Sequence, residues 1–294
     1  MKECEKIMRI GHNMPVGIYE KAFPASLSWE ERLSMAAKAG YDFVEISIDE
    51  SEKRLARLDW SESDLAAMRT AIANSGIPIF TMGLSAHRKY PLGSADQELR
   101  KHGFVIFRKA IELASELGIK VIQVMGYDVF YEPSTPDSGA RFLEGLHQGA
   151  CWAVTAGVML ALENVDVPFI NSVEKAMRFV QAVNSPWFNI YPDMGNMAAA
   201  GYDPVSQLRL AKGYLVGVHV KDAKPGVVRG VTFEEGIVPF EDVFKTLKEL
   251  GYWGPLAVEM WADMDASSDS FKAAVQARKF VDRLVMSAWG DSEC

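Results

Sequence analysis

Cysteine is scarce in this sequence, and long apolar runs are missing. The 294 residues include three cysteines, Cys4, Cys151 and Cys294, which are far apart and form no CxxC pair. A scattered, odd set excludes a disulfide framework and a zinc ribbon, and it favours a reducing compartment. No apolar run reaches the roughly 20 residues that span a bilayer, and residues 1–13 lack the apolar core of a signal peptide. We therefore expect a soluble, cytoplasmic protein with no membrane partner.

Positive charge is also limited. The chain has 31 Lys and Arg against 39 Asp and Glu, a net charge of −8. Such a surface repels a phosphate backbone, so we expect no nucleic-acid partner, although a local basic pocket can still bind an anionic small molecule. The composition is globular, and no Pro/Gly/Ser-rich linker divides the chain. We predict a single domain over 1–294, with 1–13 as an N-terminal extension and 287–294 as a C-terminal tail.

Strand-like apolar runs alternate with amphipathic stretches along the whole chain. The predicted strands are 15–19, 42–48, 77–82, 119–125, 158–162, 187–191, 214–220 and 255–258. The predicted helices are 29–39, 61–74, 97–117, 139–156, 172–183, 204–212, 240–250 and 270–285. Strict alternation indicates a parallel sheet with helices outside, and eight such units close into a (β/α)8 TIM barrel. A doubly wound open sheet is the alternative, but the GxGxxG turn typical of that fold is missing.

Metal-capable side chains end the last four predicted strands. They are Glu163, Asp193, His219 and Glu259. A single acidic residue at such a place often caps a helix, but in a barrel all four ends meet at one pocket. Three carboxylates crowded there repel one another unless they bind protons or a cation. Three oxygen donors and one imidazole suit a divalent metal ion such as Mn²⁺ or Zn²⁺, with positions left open for substrate.

This set of residues suits proton transfer on a ketose. A bound ion polarises the carbonyl and makes the neighbouring C–H more acidic. Glu163 and Glu259 lie on strands far apart around the ring, so they can flank a substrate. One glutamate would remove the proton and the other would return a proton to the opposite face of the enediolate, which inverts the carbon.

The chain resembles the L-ribulose-5-phosphate 3-epimerases (L-xylulose-5-phosphate 3-epimerases) of the xylose-isomerase-like TIM-barrel superfamily. The resemblance rests on 17–21 (GIYEK), 42–45 (DFVE), 57–60 (RLDW), 84–88 (LSAHR), 126–128 (GYD), 186–187 (PW), 191–193 (YPD), 219–222 (HVKD), 224–226 (KPG) and 259–261 (EMW). It implies an isomerase in which Glu163, Asp193, His219 and Glu259 are the metal ligands and the two glutamates transfer the proton. It also implies a homodimer.

Two positions differ from family patterns. Asn196 stands where epimerases of free ketoses have a histidine, and the phosphate-handling relatives also have Asn there, which favours a ketopentose 5-phosphate as substrate. Glu234 stands where glycine is common, and we expect a change only in the stiffness of that loop.

Further polar residues are candidates for substrate binding. His219 and Lys221 share one face of their strand because side chains alternate, so Lys221 points inward. Lys221, Lys224 and Arg229 could bind a phosphate near strands seven and eight, or they could be a solvated charge run. His87 follows strand three and is expected to hydrogen-bond the substrate, as is Asn196. The aromatic loop 127–131 is a candidate lid over the site. Trp261 is a candidate for shielding the site from water.

Other functions on the same scaffold remain open. An aldose–ketose isomerase, a dehydratase or another ketose 3-epimerase would use the same ion on a different carbon or substrate. A sugar-phosphate-binding module without turnover is a further alternative. A metal-dependent endonuclease is disfavoured, because such a site needs more histidines than the five present and a basic face.

Overall fold

The computed structural model of the protein describes residues 14–264 and 269–290. Within them, the strands are β1 (Val16–Tyr19), β2 (Phe43–Ile48), β3 (Ile79–Leu84), β4 (Val121–Met125), β5 (Met159–Glu163), β6 (Phe188–Ile190), β7 (Val218–Val220) and β8 (Leu256–Val258). The α-helices are α1 (Trp29–Lys38), α2 (Glu52–Leu55), α3 (Glu62–Ser75), α4 (Gln97–Leu117), α5 (Pro136–Ala156), α6 (Val173–Val183), α7 (Met194–Ala199), α8 (Pro204–Arg209), α9 (Phe240–Glu249) and α10 (Ser270–Trp289).

All the strand pairs of the sheet are parallel, and the strands form one eight-stranded sheet in the order β6-β5-β4-β3-β2-β1-β8-β7. Parallel bridges Ile190↔Leu215 and Asp193↔His219 join the two ends of this order. The sheet is therefore closed, and the predicted (β/α)8 barrel is confirmed. The segment 214–217 contributes to this closure although it lies outside the regular part of β7.

The outer helices begin and end where local side chains favour it. Ser28 and Glu31 form a capping box at the start of α1, as Ser61 and Asp64 do for α3. Gly76 ends α3 with φ of 69°, a left-handed value that glycine adopts without strain. Each longer helix packs an apolar stripe onto the sheet; in α4 that stripe includes Phe107, Ala110, Ile111 and Ala114.

The inside of the barrel is filled in layers. Inward positions alternate along each strand, and a separate buried cluster of Phe43, Val121, Ala161, Tyr191 and Ala257 fills the lower layer. Gly217 makes room for it, since a Cβ there would lie 2.0 Å from the Tyr191 ring. Two residues further along the same strands, the inward positions become polar. The apolar cluster thus lies directly beneath a polar layer at the carboxyl ends of the strands, which is where TIM barrels have their active sites.

Element boundaries differ from the predicted ones by a few residues, most at the end of the chain. Helix α10 continues to Trp289, whose side chain is buried, so residues 287–289 belong to this helix and not to a tail. The predicted extension 1–13 and residues 291–294 lie outside the described residues. No helix among the described residues is long and apolar enough to cross a membrane.

Candidate metal centre and substrate cavity

The four predicted ligands converge. Glu163 is the last residue of β5, Asp193 caps α7 directly after β6, His219 lies in β7 and Glu259 follows β8. One ligand atom from each lies within 4.8 Å of those from the others. The predicted meeting of these four side chains is therefore confirmed, and the cluster could hold a metal ion.

The donor atoms fit a divalent cation. Nδ1 of His219 lies 3.2 Å from Oε1 of Glu163 and 3.9 Å from both Oδ2 of Asp193 and Oε2 of Glu259. Oε2 of Glu163 is buried and has no hydrogen-bond partner within residues 14–264 and 269–290. A buried carboxylate oxygen without a partner is unfavourable, and a cation in the cluster would satisfy it.

The protonation of the cluster is uneven. Burial raises the pKa of Glu163 to about 7 and that of Asp193 to about 6. Burial also acts to raise the pKa of Glu259, but Lys221 and His219 outweigh it and lower this pKa to about 2. At neutral pH without a metal, Glu163 is near its titration point while Glu259 is ionised. Two carboxyl groups of one site therefore differ in proton affinity, as an acid/base pair requires.

Lys221 contacts this cluster directly, on the same face as His219 as predicted. Its Nζ atom lies 2.7 Å from Oδ2 of Asp193, 2.7 Å from Oε2 of Glu259 and 3.1 Å from Oδ1 of Asn196. Burial would lower the pKa of Lys221, but the two carboxylates raise it and keep the ammonium charged.

A cavity of about 580 Å³ opens from the cluster to the mouth of the barrel. Glu163, Glu259, Asn196 and Lys221 form part of its lining. Four further cationic side chains line it from the segments after β1, β2, β3 and β7: Lys21, Arg54, Arg88 and Arg229. Asp166 and Asp263 also line the cavity, but the four cationic groups outnumber these two carboxylates, so the mouth of the cavity can accept an anionic small molecule.

Comparison with known proteins agrees with this arrangement. The family model described as xylose isomerase-like TIM barrel matches residues 33–284. The L-ribulose-5-phosphate 3-epimerase UlaE of Salmonella paratyphi A is 47% identical over 254 residues, which cover 86% of this chain and 89% of that protein. The protein of the same name from Salmonella typhimurium is 45% identical over 279 residues, 95% of this chain and 98% of the relative. The chain belongs to the L-ribulose-5-phosphate 3-epimerase family.

Membership in this family makes the protein an enzyme of the isomerase class, as predicted. A solved structure of an L-ribulose 3-epimerase matches with a TM-score of 0.79 at 21% identity, covering 93% of this chain and 95% of that one. At that identity the likeness confirms the fold alone.

The two positions that differ from family patterns, Asn196 and Glu234, have different surroundings. Asn196 lies at the edge of the cluster, where its amide donates to the carbonyl of Asn164 and its Oδ1 accepts from Lys221. Glu234 has a φ of 72°, in the left-handed region that glycine favours. Its carboxylate pairs with Arg283 of α10 at 2.8 Å, but both side chains are exposed, so this pair contributes little to holding the turn.

The prediction for His87 does not fit the structure. Its side chain is buried, Nε2 lies 3.2 Å from the carbonyl of Gly103, and the ring packs edge-on against Phe107 of α4. A short 3-10 turn over Ala86–Arg88 directs His87 outward to the helix layer and Arg88 into the cavity. Burial lowers the pKa of His87 to about 4, so it is a neutral packing residue.

The loop residues take different places. Arg229 lines the cavity, with its guanidinium 5.4 Å from the centre of the Trp261 ring. Lys224 is exposed and is not among the residues that line the cavity. In the aromatic loop, Tyr127 lines the cavity and Phe130 stacks under Arg88 at 4.7 Å. Tyr131 donates to Glu50 across the barrel mouth at 2.9 Å.

Arg54, which lines the cavity, and Glu45 were both missed from the sequence. Glu45, in the middle of β2, is fully buried, and its Oε1 lies 2.9 Å from Nε2 of His219. A signal was present: Glu45 and Ser47 are polar at alternate positions of a strand that is otherwise apolar. In a parallel strand buried on both sides, such alternation marks the inward face.

Proposed function

We propose that this protein catalyses the metal-dependent C3 epimerisation of a ketopentose 5-phosphate, interconverting L-ribulose 5-phosphate and L-xylulose 5-phosphate. The observation that carries the proposal is the convergence of Glu163 and Glu259 on one cluster that opens into a cavity with four further cationic side chains in its lining. The names of the relatives at 45–47% identity support the substrate class.

The two glutamates have complementary tasks in this proposal. A divalent cation, Mn²⁺ or Zn²⁺, when bound to Glu163, Asp193, His219 and Glu259, would polarise the C2 carbonyl and acidify the C3–H bond. One glutamate accepts the C3 proton as a base, and the other donates its own proton to the opposite face of C3. The configuration inverts, and the two carboxyl groups exchange protons with solvent before the next turnover.

The remaining cationic side chains would hold the phosphate. Lys221 already pairs with two carboxylates, so it is not available to bind the phosphate. The phosphate would instead be bound by the cationic side chains at the rim of the cavity, Lys21, Arg54, Arg88 and Arg229. Lys21 and Arg54 already share Asp49 at 2.8 and 3.3 Å, whereas the guanidinium groups of Arg88 and Arg229 contact aromatic rings. Planar guanidinium groups bind phosphate through paired hydrogen bonds.

Isotope exchange at C3 tests the two-glutamate mechanism. The wild-type enzyme should incorporate deuterium from solvent at C3 as it epimerises L-ribulose 5-phosphate. Glu163→Gln and Glu259→Gln should each slow epimerisation by roughly 10²- to 10⁴-fold, the typical contribution of general acid–base catalysis. Exchange should survive with one epimer at most in each variant. Full exchange of both epimers in both variants would exclude the mechanism.

The control is Glu112→Gln, an exposed residue on the outer face of α4, which should leave exchange unchanged. Product analysis separates the alternatives. An aldose product would indicate an aldose–ketose isomerase, and tight binding without turnover would indicate a binding module; either result contradicts the proposal.

A further inference from the structure

Glu45 is a buried carboxylate that the proposed proton transfer does not use. It lies in the middle of β2, has no exposed surface and faces the inside of the barrel. Burial of an ionisable group is unfavourable unless it is fully paired. Its surroundings therefore indicate what it does.

Both oxygens of Glu45 are engaged. Oε1 lies 2.9 Å from Nε2 of His219, and Oε2 accepts from Oγ1 of Thr81 at 2.7 Å and from the amide of Gln123. Thr81 and Gln123 belong to β3 and β4, the next two strands of the barrel. The carboxylate is thus held from two strands on one side and contacts His219 on the other.

The two nitrogens of His219 face opposite surroundings. Nδ1 faces Glu163, Asp193 and Glu259, while the acidic partner of Nε2 in the described part of the chain is Glu45. The imidazole ring stands between Glu45 and the acidic cluster, so Glu45 is not itself a ligand of the cluster. Tyr191 packs at 5.0 Å from the ring centre and limits its rotation.

An imidazole nitrogen binds a metal ion only through its lone pair, so the proton of a neutral ring must sit on the other nitrogen. A carboxylate that accepts from that other nitrogen selects this tautomer and the ring orientation. We propose that Glu45 is a positioning residue: it holds the proton of His219 on Nε2, aims the Nδ1 lone pair at the cluster, and thereby strengthens metal binding. This inference rests on the part of the proposed function that places a cation among these ligands.

The test measures Zn²⁺ affinity and the tautomer of His219 in the same proteins. Zn²⁺ is titrated by calorimetry against a competing chelator. Burial acts to lower the pKa of His219, but Glu45 and Glu163 outweigh it and raise this pKa. The ¹⁵N spectra of metal-free, histidine-labelled protein are therefore recorded above that pKa, where they report which ring nitrogen carries the proton. Glu45→Gln keeps the shape and an acceptor oxygen, so we expect about 10-fold weaker Zn²⁺ binding, at the lower end of the effect of losing such a partner. Glu45→Leu removes the acceptor, and we expect roughly 100-fold weaker binding and a mixture of tautomers.

Two variants serve as controls. Ser47→Ala changes the next inward position of the same strand, which contacts Tyr19 and not His219, and should leave both readouts unchanged. Thr81→Val removes the hydroxyl that donates to Oε2 of Glu45. It should weaken Zn²⁺ binding less than Glu45→Gln does. If Glu45→Leu fails to fold, the Zn²⁺ affinities of Glu45→Gln and Thr81→Val test the inference.

The outcomes separate this inference from the proposed reaction. A folded Glu45→Gln protein with wild-type Zn²⁺ affinity and an unchanged His219 spectrum overturns the inference, even if the wild type epimerises its substrate. Weakened Zn²⁺ binding with a shifted tautomer supports it, even if the wild type shows no turnover. A wild-type protein that binds no Zn²⁺ overturns the inference as well.

Discussion

Nζ of Lys221 lies 2.7 Å from Oε2 of Glu259, so a lysine shares a carboxylate that the metal ion is proposed to use. The same ammonium group is 2.7 Å from Asp193. Lys221 therefore compensates part of the negative charge of the cluster in the metal-free protein, and it repels a cation in the metal-bound protein.

Replacement of Lys221 should separate these two effects. Lys221→Met should lower the free energy of unfolding of the metal-free protein by about 3–5 kcal/mol, the usual effect of leaving a buried charge unpaired. The loss should be smaller with Zn²⁺ bound, and Zn²⁺ should bind more tightly. Calorimetric melting with chelator and with Zn²⁺ measures both states. An equal loss of stability in the two states would contradict this prediction.

Proton competition should make metal binding depend on pH. The raised pKa values, about 7 for Glu163 and about 6 for Asp193, mean that these carboxyl groups keep their protons below those pH values, and a cation must displace them. Burial acts to lower the pKa of His219, but Glu45 and Glu163 outweigh it and raise this pKa well above its usual value, so a cation must displace a proton from the ring as well. Zn²⁺ affinity should therefore fall as the pH decreases, with roughly one to two protons released per ion near neutrality. Calorimetry in buffers of different ionisation enthalpy counts the protons. An affinity that stays constant across this window would contradict the prediction.

Stability of the metal-free protein should respond in the opposite sense. The folded-state pKa of Glu163 lies above its unfolded value of 4.5, so its contribution to stability is fully present below pH 4.5 and is lost as the pH rises through about 7. Glu163→Gln should flatten this dependence between the two values. Urea unfolding at several pH values measures it, and an unchanged pH profile in the variant would count against the assignment.

Asp222 should control the loop that carries Arg229. Its carboxylate accepts from the backbone N–H of Ala223, Gly236 and Val238 at 2.8, 2.9 and 3.3 Å, which ties the two ends of the loop 223–238 together. Asp222→Ala should raise KM for the sugar phosphate by about 10-fold or more, since each hydrogen bond to a charged group contributes about 1.5–3 kcal/mol.

Zn²⁺ affinity should remain at the wild-type value in Asp222→Ala, because the residue contacts none of the four ligands through its carboxylate. Gly236→Ala is a matched variant, since a Cβ there would lie 2.1 Å from Oδ1 of Asp222 and should open the same loop. Steady-state kinetics and metal titration measure the two properties. A loss of metal binding together with an unchanged KM would refute the prediction.

A second buried group of ion pairs, around Glu20, should affect stability without affecting metal binding. Glu20 has no exposed surface and accepts from Arg32 at 2.6 Å, from Arg57, and from the N–H of Ser47 at 2.8 Å. Glu20→Gln removes the negative charge that pairs with the two buried guanidinium groups. It should therefore lower the free energy of unfolding by about 3–5 kcal/mol. Urea unfolding measures this. Glu112→Gln, on the exposed face of α4, is the control and should change it by less than about 0.5 kcal/mol.

The sequence predicted most of the barrel and the meeting of the four proposed ligands, because both follow from local rules. Apolar runs mark buried strands, and a polar residue at the end of such a run lies at the edge where parallel strands converge. His87 was placed wrongly because a short turn, whose direction no local pattern reveals, sends its side chain to the helix layer. Glu45 was missed because its role depends on contacts with β3, β4 and β7, which only closure of the barrel brings together. The homodimer and the cytoplasmic location remain predictions.

Anomalous diffraction from crystals grown with Mn²⁺ or Zn²⁺ would locate the proposed ion itself. We expect one strong peak within about 2.0–2.3 Å of a donor atom from each of Glu163, Asp193, His219 and Glu259. We also expect Nδ1, and not Nε2, to be the nitrogen of His219 next to the ion. No peak at the cluster under saturating metal, or a peak held by other residues, would contradict this expectation.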